Sequence, residues 1–60
     1  MNITYTVLLK DATVGTISAD TLGGQSAEDF IGEQVNVHLY DENGNPIERT
    51  GELIEVLEER

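Results

Sequence analysis

Val35-Asn36-Val37-His38-Leu39-Tyr40-Asp41-Glu42-Asn43-Gly44-Asn45-Pro46 is the stretch that decides the fold. Val35, Val37 and Leu39 alternate with Asn36, His38 and Tyr40. A period of two puts the first set on one face of a strand and the second on the other. Asn43-Gly44 then supplies the strongest short hairpin signal, because both residue types tolerate positive φ. Pro46 cannot donate a ladder hydrogen bond, so it belongs at the start of the returning strand or on an edge. Ile47 to Thr50 should run back antiparallel to Val35–Tyr40. Such a hairpin has one apolar face, and the rest of the chain must cover it.

Working outward toward the N-terminus, Ile3, Tyr5, Val7 and Leu9 alternate with Thr4, Thr6 and, less cleanly, Leu8. This predicts another strand. Lys10-Asp11-Ala12-Thr13 makes a polar connection, and Val14 to Ala19 forms a weaker second strand, closing a first hairpin. Thr21-Leu22-Gly23-Gly24-Gln25 reads as a flexible connector, since paired glycines carry little packing. Ser26 is placed to cap a short helical turn, with Glu28 and Asp29 suited to its first residues. The turn covers residues 26–31, Phe30 serves as a core plug, and Gly32 ends it.

Beyond Gly51 two readings compete. Glu52 to Leu57 continues the strand past a glycine bulge, or Leu53, Ile54 and Leu57 form one face of a helix. The strand is favoured because the segment follows a hairpin and is short for an isolated helix. Glu58-Glu59-Arg60 reads as a frayed, solvated tail. Residues 1–60 thus make a single small domain, all-β. The architecture expected is a small antiparallel barrel or curved sheet of four to five strands, with one short helical turn near residues 26–31. The order of hairpin, loop, Asn-Gly hairpin and bent last strand resembles an SH3-like small barrel. That resemblance implies no function, because small barrels host many. The expected core is Ile3, Tyr5, Val7, Leu9, Ile17, Phe30, Ile31, Val35, Val37, Leu39, Ile54 and Val56.

Charge is the loudest feature of the composition. The chain carries a formal net charge of -9 on 60 residues. All but Asp11 and Asp20 of its 12 carboxylates lie from Glu28 onward. That balance repels nucleic acid and anionic membranes and attracts a basic partner or a cation. There is no cysteine, which removes disulfides and thiolate metal sites and fits a reducing cytoplasm. No apolar run is long enough for a transmembrane helix. Met1-Asn2-Ile3-Thr4-Tyr5 lacks the basic and apolar regions of a signal peptide. With one histidine and no tryptophan, and little surface to spare for a cleft, the chain is read as non-catalytic and without cofactor.

Three constellations remain. Asn36, His38 and Tyr40 share the polar face of the clearest strand and form a candidate contact face, with Tyr40 as its anchor. Glu48, Glu52, Glu55, Glu58 and Glu59 form an acidic patch. It acts as a solubility device, or as an imitation of a phosphate row that occupies a nucleic-acid-binding groove. Asp41, Asn43, Asn45 and Glu52 match positions of a calcium loop, but Pro46 stands where that loop needs glycine, and the flanks are strands. No metal ligand set is assigned. The leading expectation is a protein-protein interaction module with a protein partner, basic if the charge is functional. It binds neither nucleic acid nor membrane directly, and weak homo-oligomerisation stays open. The alternative is an acidic nucleic-acid mimic that inhibits a basic nucleic-acid-binding protein, of the phage or mobile-element type. A cation-binding module is the weaker third reading.

Overall fold

The computed structural model describes residues 3–60, so Met1 and Asn2, and the part of the signal-peptide reading that rests on them, lie outside it. The chain forms β1 (Thr4–Leu9), β2 (Val14–Ser18), a 3₁₀ turn (Ala27–Phe30), β3 (Gln34–Tyr40) and β4 (Pro46–Glu59). The strands close into an antiparallel barrel in the order β1-β2-β3-β4, with β4 returning to β1. The all-β expectation holds, with four strands among the described residues. Among the described residues no helix is long and apolar enough to cross a membrane.

Closure depends on β4. Its first half pairs with β3, from Tyr40 opposite Pro46 to Gln34 opposite Glu52. Its second half pairs with β1, from Leu9 opposite Leu53 to Tyr5 opposite Glu59. The register on β1 slips twice, between Leu8 and Leu9 and between Thr6 and Val7. Ile54 and Leu57 are the extra residues, two bulges that bend the strand around the barrel. The bulges therefore sit at Ile54 and Leu57 and not at Gly51, which keeps its place opposite Val35. Gly51 is small for a different reason: a β-carbon there would lie 3.1 Å from Leu9 Cδ1.

The bulges also correct the core. They change the inward period of β4 from two to three, so Leu53, Val56 and Glu59 share the face that Leu9, Val7 and Tyr5 occupy on β1. Leu53 is buried and Ile54 exposed, the reverse of the expectation for Ile54. Tyr5, Val7, Leu9, Ile17, Val35 and Val37 are buried as expected. Ile3, Phe30, Leu39 and Val56 pack against them while only partly buried. Ile31 is half exposed, because the chain leaves the 3₁₀ turn in extended backbone immediately at that residue.

Two segments read as loose are ordered. Leu22 is buried in the core cluster, on a loop whose amides bond back to Ser18, Ala19 and Asp20. The Gly23-Gly24 pair serves that turn. At the C-terminus, Thr4 and Arg60 exchange backbone hydrogen bonds of 2.7 and 2.9 Å, so Glu58 and Glu59 belong to the sheet and the tail is not frayed. The 3₁₀ turn matches expectation: the Ser26 hydroxyl accepts from the Glu28 N–H at 3.3 Å, and Ala27 is fully buried.

The two hairpins share one turn design. In the first, Ala12 N–H donates to Leu9 O and Leu9 N–H to Thr13 O. In the second, Gly44 N–H donates to Asp41 O and Asp41 N–H to Asn45 O. Each is a three-residue loop whose last residue has positive φ, 73° at Ala12 and 83° at Gly44. This is the type I turn followed by a left-handed residue, not the two-residue turn that Asn43-Gly44 alone suggests.

Candidate functional site

The site is built by a seam that does not fully close. β2 and β3 are joined by a single residue pair, Thr16 opposite His38, reinforced by the Thr16 hydroxyl donating to His38 O at 3.2 Å. The hydrogen-bonding alternation fixes which backbone groups face the seam. Leu9 and Thr13 are bonded across the first hairpin, so Val7 and Gly15 are the next bonded pair, and Val14 and Thr16 turn their N–H and C=O toward β3. Asp41 and Asn45 are bonded across the second, so His38 and Tyr40 turn theirs toward β2. Thr16 and His38 meet there. Val14 and Tyr40, one step further, face the same gap without pairing.

The strands part at that step into an outer groove of about 440 Å³. Val14, Leu39, Tyr40 and Pro46 supply its apolar surface, Thr6, Thr16 and His38 its polar groups, and Gly15 part of its floor. Tyr40 is 73% exposed and Val14 48% exposed. Volumes of 300–1,000 Å³, mostly apolar with a few placed polar groups, are usual for binding sites. The groove is open because β2 and β3 belong to different hairpins and no turn fixes their register.

Of the proposed contact face, His38 and Tyr40 line the groove. Asn36 stands further along β3, where its side-chain oxygen accepts from the Thr50 hydroxyl at 3.4 Å. His38 Nδ1 lies 3.6 Å from Glu48 Oε1, both side chains well exposed. Sequence places Leu39 in the core and Pro46 at a strand start or edge, and assigns neither them nor Val14 to the contact face. Their signal was present, since Val14 is a large apolar residue on a strand whose inward positions are Gly15 and Ile17.

The acidic residues divide. Glu48 and Glu52 sit opposite His38 and Gln34 on the outer face. Glu55 and Glu58 sit opposite Leu8 and Thr6, also outward. Glu59 is opposite Tyr5, on the register of the barrel interior at its mouth, and so stands apart from the row. Steps of three and four residues at about 3.3 Å each separate the row members by roughly 10–13 Å along the strand. Glu58 also contacts Arg60 Nε.

Asp41 has a structural task. Its Oδ1 accepts the backbone N–H of both Asn43 and Asn45, each at 2.9 Å. The bond from Asn45, followed by that from Asn43, holds its carboxyl below the ordinary 3.8. Asp11 plays the same part in the first turn, accepting from Thr13 at 3.0 Å, and Thr13 lowers it in the same direction. Asn43 and Asn45 thus contribute main-chain donors to the Asp41 carboxylate, which spends on the turn the oxygen a calcium loop would use. Among the described residues no group of three or more His, Asp or Glu side chains is arranged to hold a metal ion. No family model, curated protein or solved structure matches this chain.

Proposed function

We propose that this chain is a non-catalytic interaction module that binds a protein partner through the groove between β2 and β3. The observation that carries the reading is the exposure of Val14 and Tyr40 side by side over a defined concavity. Scattered apolar residues on a surface are ordinary, whereas apolar residues gathered at a groove mark interaction sites. Tyrosine is favoured there because it offers a large rigid apolar body with a polar tip. The absence of cysteine fits a cytoplasmic setting. The test is capture of partners from the host lysate with the wild-type chain and with a Val14→Ser/Tyr40→Ala double variant. A protein retained by the first and lost by the second supports the reading. Equal retention by both contradicts it.

A second reading, the acidic nucleic-acid mimic, draws on the outward row of Glu48, Glu52, Glu55 and Glu58 along one strand. It requires a basic nucleic-acid-binding partner that DNA displaces and that salt releases steeply. A Glu52→Gln/Glu55→Gln variant would weaken such a partner and leave a groove-bound one in place.

A further inference from the structure

The groove presents more than apolar side chains. Val14 and Tyr40 both direct their backbone N–H and C=O groups into the seam, and they form no ladder pair across it. Main-chain groups left outside the ladder beside an apolar concavity are what an extended chain recognises, since main-chain bonds give affinity and alternate side chains enter the pockets. The free edge is short. Thr16 and His38 close it at one end, and Asp41 begins the hairpin turn at the other.

The surroundings define the chemistry of the occupant. Glu48 stands opposite His38, and Glu58 stands opposite Thr6, which lines the groove. Asp41 and Glu42 follow Tyr40 directly in the chain. Among the described residues no lysine or arginine lines the groove. The border is therefore acidic around an apolar centre, and a chain with a net charge of -9 disfavours a second copy of itself as occupant. The exposed Tyr40 ring offers a face on which a cationic side chain can rest.

We propose that the groove seats an extended segment of a partner protein, alternating apolar and basic residues, paired through its main chain to Tyr40 and Val14. Apolar side chains of the segment lie against Val14, Leu39 and Pro46. Its lysine or arginine side chains reach the carboxylates of Glu48 and Glu58. This rests on the groove being the interaction surface and names what enters it.

The experiment is a selection of random linear peptides displayed on phage against the immobilised chain, with the folded Val14→Ser/Tyr40→Ala variant as counter-selection. The expected winners alternate apolar residues with lysine or arginine. Synthetic copies should bind the wild-type chain and lose about tenfold in affinity when one main-chain amide facing the seam is methylated, the scale of one hydrogen bond. Three results would overturn the proposal: winners without basic residues, affinity indifferent to methylation at every position, or no peptide distinguishing the chain from the variant. If lysate partners still depend on Val14 and Tyr40 in any of these cases, the interaction reading stands and only the extended basic segment is lost. If they do not, both fall.

Discussion

Gly15 lies so close to Val37 that a β-carbon at position 15 would sit 2.6 Å from Val37 Cγ2. This approach brings β2 against β3 with only one residue pair between them, and it holds the groove beside that pair. Gly15→Ala forces β2 outward, and overpacking of this kind costs about 1–3 kcal/mol. The urea midpoint should fall accordingly. A Gly15→Ala chain as stable as wild type would mean that β2 and β3 do not approach this closely at Gly15 and Val37.

The two turns make a reciprocal prediction. Ala12 adopts a φ of 73° and Gly44 one of 83° in equivalent positions. A left-handed residue with a β-carbon costs roughly 1–2 kcal/mol, partly offset by the lower unfolded-state entropy of alanine. Ala12→Gly should therefore raise the melting temperature slightly and Gly44→Ala should lower it. Shifts of the same sign in both variants would count against the shared turn.

Acid should act through Asp11 and Asp41. Crowded negative charge argues for raised carboxyl pKa values, but at these two residues adjacent N–H donors act the other way. A folded-state value lowered below 3.8 gives a contribution that is complete above the unfolded value and lost as pH falls through the folded one. Unfolding midpoints should drop below about pH 4, and the drop should be smaller in Asp41→Asn, whose side-chain oxygen still accepts from Asn43 and Asn45 without titrating. An identical acid limb in the variant would exclude Asp41 as a contributor.

Salt tests the charge as a whole. Glu48, Glu52, Glu55 and Glu58 project from one strand, and the chain has only three lysines and arginines to offset 12 carboxylates. Screening shortens the reach of that repulsion to about 10 Å at 0.1 M. Urea midpoints should rise with added sodium chloride. A fall would show that local attractions such as the Arg60–Glu58 ion pair outweigh the repulsion.

Much of this fold was legible, for local reasons. Val35–Tyr40 alternates cleanly because one face packs on the core and the other meets solvent, and Ser26 announces its turn through its cap. The last strand was ambiguous because Ile54 and Leu57 are inserted as bulges. Inward positions then recur every three residues, a spacing that also suits a helix. Leu22 was hidden by its glycine neighbours, which suggest freedom where the loop is tied down. The candidate site was half legible. His38 and Tyr40 could be read from β3 alone, but Val14 meets them only through a seam between two hairpins, and no local pattern encodes that register.

The most direct measurement is backbone amide hydrogen exchange, residue by residue, in the free chain. The Thr16 and His38 amides should be protected, and those of Val14 and Tyr40 should exchange rapidly, until a groove-binding peptide is added and slows them. Protection of Val14 and Tyr40 in the free chain would show that β2 and β3 are paired along their length, and the groove would then be no binding site.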